Sequence, residues 1–345
     1  MQVAGSGRQV LDGAAVHAWA VSASDALARL APRIDALNVF PVADDDTGTN
    51  VALTVAAGRD ALVRSRPVGG AQAVDVLARG ALAAARGSSG VILGAWLTGL
   101  AEGLAVSTGT DHIDPGARDL VAALSVAARE ATAAVERPSP GTMLDTADQV
   151  ARGAQDGALD QVLPGAVDAA RRALVDTSLR HPVLRAAGVV DAGACALLVL
   201  LEAFAAVLAD RSGVDLGDWV PVARPHEHED AGGGAFEVMA ALGPRADAVA
   251  VRTALGARGD AVAVVGDPDG WRTHVHTDTV PQVLDLLAAH DLVQAVVRAV
   301  HGPHQPSAVV VTSEAGHAAW FAAAGAAVLL PGAVSDAALP DAVRQ

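Results

Sequence analysis

"LNVFPVADDDTGTN", Leu37 to Asn50, sets an apolar run against three consecutive carboxylates, Asp44, Asp45 and Asp46, and then against Thr-Gly-Thr-Asn. Adjacent like charges repel, so the triplet needs open water or a cation to offset it. Asp44 and Asp46 alternate across a loop that ends where a helical pattern begins, and a short Asp-x-Asp loop can aim two carboxylates at one hard cation. Gly48, Thr49 and Asn50 then offer backbone N–H groups and hydroxyls at a helix N-terminus, where anions bind. Such a loop suits a metal-bridged phosphate. The plainer alternative is a solvated acidic loop with Thr49 or Asn50 as the helix cap.

The chain around this loop is 345 residues long, enough for two or three domains. Hydrophobic residues make up 52% and charged residues only 18%. Much of the apolar share is alanine, which favours helix. All 24 basic residues are arginine, against 39 acidic residues, for a net charge of -15. That balance argues against a sequence-independent grip on nucleic acid or anionic lipid and makes metal ions the natural counter-charge. The absence of lysine excludes the Walker P-loop, the protein-kinase phosphate site and Schiff-base chemistry. A single cysteine, Cys195, leaves no internal disulfide and points to a reducing, cytoplasmic compartment. The N-terminus has no basic region followed by an apolar one, so no signal peptide is expected. Ala186 to Ala209 is the most apolar segment, but Asp191 and Glu202 interrupt it, and no stable membrane insertion is expected.

Helical periodicity runs through residues 11–30, 50–64, 71–86, 90–105, 115–135, 143–156, 162–176 and 193–210, which predicts an all-α domain of eight helices over residues 1–210. Residues 211–234, rich in Pro, Gly and charge, read as a linker. Short β-type runs mixed with helix follow over 235–301, an α/β pattern that includes "FEVMAAL", "AVAVVGD" and "WRTHVHTD". Residues 302–345 hold one strand–helix–strand unit and then too few residues to complete a sheet, which reads as the start of a shortened α/β domain.

Three further loops open apolar helices. In "ARGSSGVILG", Ser88 and Ser89 between Gly87 and Gly90 can present hydroxyls and N–H groups to phosphate oxygens, or simply start a helix. In "SPGTMLDTADQV", Thr142 can cap and Met143 can lie against a flat apolar ligand such as a base, or be ordinary core. In "AAGVVDAGACALL", Asp191 is either an N-cap or a site residue. In an up-and-down helical barrel alternate loops share one end, so four such loops can build one nucleotide site.

These residues resemble a known family. "LNVFPVADDDTGTNVALT" is similar to the "NVFPVPDGDTGTN" signature of the ATP-binding subunit of bacterial fatty acid kinase, and "ARGSSGVIL", "GTMLDTA" and "VLRAAGVVDAGACALLVLLEAF" follow in that family's order. The L subunit of dihydroxyacetone kinase is a more distant relative with a similar Gly-Ser-Ser-Gly loop. The resemblance implies an eight-helix barrel holding ADP or ATP and two Mg²⁺. Asp44 and Asp46 would bind the metal, while Thr47, Gly48, Thr49, Asn50, Ser88, Ser89 and Gly90 would hold phosphates. Thr142 and Met143 would border the base, with Asp191 and Gly193 closing the site. Asp45 stands where the family has glycine, and Ala43 where it has proline.

"RTALGARGDAVAVVGDPDGWRTHVHTDTVPQVLDLL" resembles that family's middle domain. His274 and His276, two apart on a strand, share one face, as a metal pair or a pair of catalytic donors requires. In the family such histidines join a cysteine to hold zinc; here Ala235 occupies the cysteine position, with His226 and His228 as substitutes. The implied activity is phosphorylation of a fatty acid carboxylate presented by a lipid-binding partner protein, with a homodimer left open. The alternatives are a nucleotide-binding regulator without catalysis or a dihydroxyacetone-type kinase subunit.

Overall fold

A computed structural model describes residues 7–108, 114–211, 220, 234–267, 269–301 and 308–331. His226 and His228 lie outside the described residues. The helical domain consists of α1 (Gly13–Asp35), α2 (Thr47–Ser65), α3 (Gly70–Ala83), α4 (Gly87–Thr108), α5 (Ala117–Ala134), α6 (Met143–Gly153), α7 (Pro164–Ser178), α8 (Pro182–Ala187) and α9 (Ala192–Leu208). From α1 to α7 each helix packs on the next along the chain; α9 then packs on α7, α6 and α2 and returns to α1, closing a ring.

The sequence explains this closure. Every residue of α9 except Glu202 is buried, so the helix has to be surrounded. Glu202 is met by Arg171 of α7 at 3.2 Å. Trp19 of α1 stacks on Phe204 with ring centres 4.1 Å apart, and its indole N–H donates to the Leu200 carbonyl at 3.0 Å, which satisfies the polar group that this stacking buries. Of the described helices, α4 is long and apolar enough to cross a membrane, and two thirds of its apolar window, 67%, is packed inside the protein.

Two departures from the expected helices have physical reasons. Periodicity ends the first helix at residue 30, ahead of Pro32, yet α1 runs on to Asp35 because Leu27, Leu30 and Ile34 continue its buried stripe past a proline that removes one hydrogen bond. The six-residue α8 is too short to show a period; Pro182 begins it and Gly188, at φ 67°, ends it.

The second domain runs β1 (Phe236–Leu242), α10 (Ala248–Gly256), β2 (Asp260–Asp267), β3 (Gly270–Thr277), α11 (Val280–Ala288), β4 (Leu292–Ala299), β5 (Val309–Val311), α12 (Ala315–Ala323) and β6 (Ala327–Pro331). Strand order is β2-β3-β1-β4-β6-β5. The first four strands are antiparallel neighbours in a split βαβ arrangement. The break expected at residue 302 is not a break in the sheet. β6 pairs antiparallel with the edge of β4, and β5 lies parallel to β6, so residues 308–331 extend the same sheet.

Alternation along the strands separates two faces. Val238, Val275 and Val297 face a core closed by α10, α11 and α12. The opposite face meets the helical domain, where Ala263 and Val265 pack with Leu82, Ala85, Val91, Ala95 and Ala134. Polar contacts cross the same seam. Glu136 N–H donates to the Val262 carbonyl at 3.2 Å, and Arg252 reaches Glu136 at 3.3 Å.

Candidate functional site

The loop from Leu37 to Asp46 hangs between α1 and α2. Asp44 accepts a hydrogen bond from the Asn38 side-chain amide. Asp46 is hydrogen-bonded by the Asn50 side chain, and its carbonyl accepts the Asn50 N–H at 2.8 Å. The Thr47 and Ser89 hydroxyl oxygens lie 3.5 Å apart and join this loop to the start of α4. Gly87 makes that approach feasible: its φ is +61°, and an added Cβ would lie 2.4 Å from the Asn50 amide nitrogen. Asn38, Asp44, Asp46, Thr47, Asn50, Ser88 and Ser89 thus line one narrow cleft.

The negative charge in this cleft is only partly compensated. Burial, then Asp46 and Glu237, push Asp44 up to about 8. Burial, then Glu237, raise Asp46 to about 6 against the opposing pull of Arg298. The Asn38 Oδ1 is buried with no hydrogen-bond partner. Two carboxylates whose ionisation is held back by burial and by neighbouring negative charge, beside an orphaned carbonyl oxygen, are a donor set that fits a hard divalent cation. Asp45 takes no part in it: its φ is +52° and it is exposed, so its side chain tops a left-handed turn.

A second cavity of about 390 Å³ adjoins this cleft and shares Pro41, Ser88 and Ser89 with it. Thr142, Met143, Asp191 and Gly193 line it, and its far wall comes from the second domain at Gly259, Asp260 and Ala261. The volume is in the range that encloses a small organic ligand. Asp191 is both a cap and a lining residue. Its Oδ1 accepts the Ala194 N–H at 2.6 Å at the start of α9, and complete burial pushes its carboxyl up to about 7.

Three expected phosphate ligands have other roles in the structure. Thr49 spends its N–H and its hydroxyl on Asp35 at 2.9 and 2.7 Å, which caps α2 from the end of α1. Gly48 lets α2 rest on α1: an added Cβ would lie 2.5 Å from the Ala31 carbonyl oxygen. Gly90 packs α4 on α2, with its N–H given to the Arg86 carbonyl at 3.0 Å.

The sheet supplies the remaining wall. His274 and His276 line the same cleft as Asp44 and Asp46, and Glu237 stands directly opposite His276 on β3 and opposite Arg298 on β4. Ligand atoms of Glu237, His274 and His276 all lie within 4.8 Å of one another. His274 Nδ1 is 2.8 Å from the Ala261 carbonyl, which can only accept, so Nδ1 carries a hydrogen, and Nε2 lies 3.3 Å from Glu237 Oε1. That Nε2 and the His276 Nδ1 are buried without a hydrogen bond. Burial and His274 push His276 down to about 3, so it stays neutral. Two imidazoles and a carboxylate fit a zinc-like ion, with Glu237 rather than Ala235 as the third donor.

Glu237 itself is buried, which would raise its carboxyl, yet Arg298 and His274 hold it well below the usual carboxylate range. Arg298 donates to Glu237 Oε2 from Nε at 2.9 Å and from Nη2 at 2.6 Å. In the sequence Glu237 and Arg298 are lone charges in the apolar runs "FEVMAAL" and "QAVVRAV". That is the one available signal for either residue.

Comparison with known proteins agrees with both halves of this picture. Residues 41–206 match the DAK2 domain family, and residues 234–298 match the middle domain of the FakA-like fatty acid kinase family. Protein YloV of Bacillus subtilis (strain 168) is 31% identical over 205 residues, which are 58% of this chain and 36% of that protein. A protein of Staphylococcus haemolyticus (strain JCSC1435) is 28% identical over 282 residues, 75% of this chain and 50% of its own length. One from Staphylococcus aureus (strain USA300) is 27% identical over 275 residues, 73% of this chain and 48% of its own length. The chain thus spans half or less of the length of these relatives. The likeness thus lies in two segments, a DAK2-type domain over residues 41–206 and a middle domain of the FakA-like fatty acid kinase type over residues 234–298.

Proposed function

We propose that the chain is the nucleotide-binding subunit of a fatty acid kinase, transferring the terminal phosphoryl group of ATP to the carboxylate of a fatty acid held by a lipid-binding partner protein. The observation that carries this reading is the convergence of Asp44, Asp46, Thr47, Asn50, Ser88 and Ser89 in one cleft that adjoins the cavity beside Met143.

Asp44 and Asp46, with Asn38, would hold Mg²⁺, which supplies charge neutralisation to the phosphates when bound. Thr47, Ser88 and Ser89 offer hydroxyls along the phosphate chain, and Thr142, Met143 and Gly193 receive the base. A fatty carboxylate is already ionised at neutral pH, so the site needs alignment and positive charge rather than a general base. His276, neutral across the physiological range, suits ligation better than proton transfer. On this reading His274, His276 and Glu237 hold a second type of metal, and their role in transfer is to shape the cleft wall.

Calorimetry with Mg·ADP tests the binding half. Asp44→Ala combined with Asp46→Ala is expected to weaken binding by about a hundredfold. Equal binding by the double variant would refute the metal-loop assignment. Mixing the chain with Mg·ATP and a fatty-acid-loaded lipid-binding protein tests the transfer half; ADP release above the partner-free rate is the expected outcome. Nucleotide binding without such release would instead describe a regulator.

A further inference from the structure

We propose that Arg298, carried on β4 and anchored by Glu237, is the cation that the second domain delivers to the phosphoryl group during transfer. The inference rests on the kinase reading above and adds to it a residue from outside the helical domain.

Transfer of a phosphoryl group spreads negative charge over its three equatorial oxygens, and enzymes answer that charge with cations beyond the nucleotide metal. A chain without lysine has to use arginine for this purpose. Arg298 is placed for it by register: it stands opposite Glu237, which stands opposite His276, and His276 lines the cleft that contains Asp44, Asp46, Thr47, Ser88 and Ser89. Its side chain is 25% exposed, so it is mostly enclosed yet reaches open space.

The anchoring is specific. Nε and Nη2 both donate to the same Glu237 oxygen, so the guanidinium plane is fixed while Nη1 makes no hydrogen bond among the described residues. A guanidinium held by two bonds has little left to reorganise when charge develops in front of it. Its positive charge already acts on Asp46 and Asp44, which line that cleft. Arg86, the residue before Gly87 and the Ser88–Ser89 pair, is close enough for Arg298 to disfavour its charged form.

A buried ion pair that merely ties β1 to β4 is the competing explanation, and binding of a transition-state mimic separates the two. The full chain is titrated with Mg·ADP alone and with Mg·ADP, aluminium fluoride and octanoate together. Wild type is expected to bind the fluoride complex much more tightly than Mg·ADP. Arg298→Gln is expected to keep its Mg·ADP affinity within about threefold and to lose about a hundredfold or more of the extra tightening. Arg298→Lys, which keeps a charge but loses the two-bond anchor, is expected to lose at least about tenfold of it. The lysine variant alone decides the matter if the glutamine variant does not fold. Retention of the full tightening in the variant examined overturns the role of Arg298 and leaves the kinase reading intact. A wild type that binds Mg·ADP but shows no tightening overturns the role of Arg298, and ADP release with the fatty-acid-loaded partner then judges the kinase reading by itself. Parallel loss of Mg·ADP and fluoride-complex binding would mark the residue as structural and also overturn the proposal.

Discussion

Asp45 stands at φ +52°, in a region where an L side chain is tolerated rather than favoured. Aspartate is among the residues that enter it most readily, and glycine enters it without strain. That accounts for the third carboxylate of the triplet: the backbone requires this turn so that Asp44 and Asp46 can both face the cleft, and the intervening side chain is left outside. Asp45→Gly is therefore expected to leave Mg·ADP affinity unchanged and stability equal or raised by up to about 1 kcal/mol, whereas Asp45→Val is expected to lose about 1–2 kcal/mol in chemical denaturation. A large loss of metal affinity in the glycine variant would return Asp45 to the ligand set. Asp44 and Asp46 were legible because their spacing has a chemical meaning. Asn38, Glu237 and Arg298 were not, because a lone polar residue in an apolar run carries no information about what faces it from another strand or another domain.

The α1–α2 loop brings two carboxylates together, and its pH response follows from their positions. Asp44 and Asp46 titrate in the folded protein near 8 and 6, above their ordinary 3.8. Above about pH 4 the unfolded chain has shed these protons, while the folded chain releases them only near pH 6 and pH 8, so the metal-free protein loses stability as pH rises through that window. On the proposed reading Mg²⁺ would replace the protons, and its stabilising effect should grow over the same range. Thermal melts with chelator and with Mg²⁺, at about pH 5.5 and about pH 8.5, should show the larger Mg²⁺ increment at the higher pH. A larger increment at the acid end would remove these two carboxylates from the metal site. Long elements were the most readable part of the fold. The eight periodic segments appear in order as helices, since alanine-rich amphipathic runs fix both type and face. Contacts decided the finer points: Asp35 claims Thr49, and the buried stripe of α1 outlasts Pro32.

Across the whole molecule, the cleft has one wall from each domain, and no periodicity within either half announces that arrangement. Sequence patterns identified a helical domain and a sheet with paired histidines. They could not state that Ala263 and Val265 pack into a seam with Leu82 and Val91, which is what brings His274 and His276 up to Asp44 and Asp46. Mg·ADP bound in the helical domain is therefore expected to slow amide exchange in β1 and β3 as well, by up to about a hundredfold at saturating concentration. Protection confined to α1–α9 would show that the sheet wall is not engaged.

The pairing of Glu237 with Arg298 has a consequence for how such chains can change. Glu237 acts on both Asp44 and Asp46, and Arg298 acts on all three carboxylates, so the charge of the loop is balanced partly by residues of the other domain. Grafting either domain onto a foreign partner would leave that balance unsettled, so the two halves should be inherited, exchanged and engineered as one module.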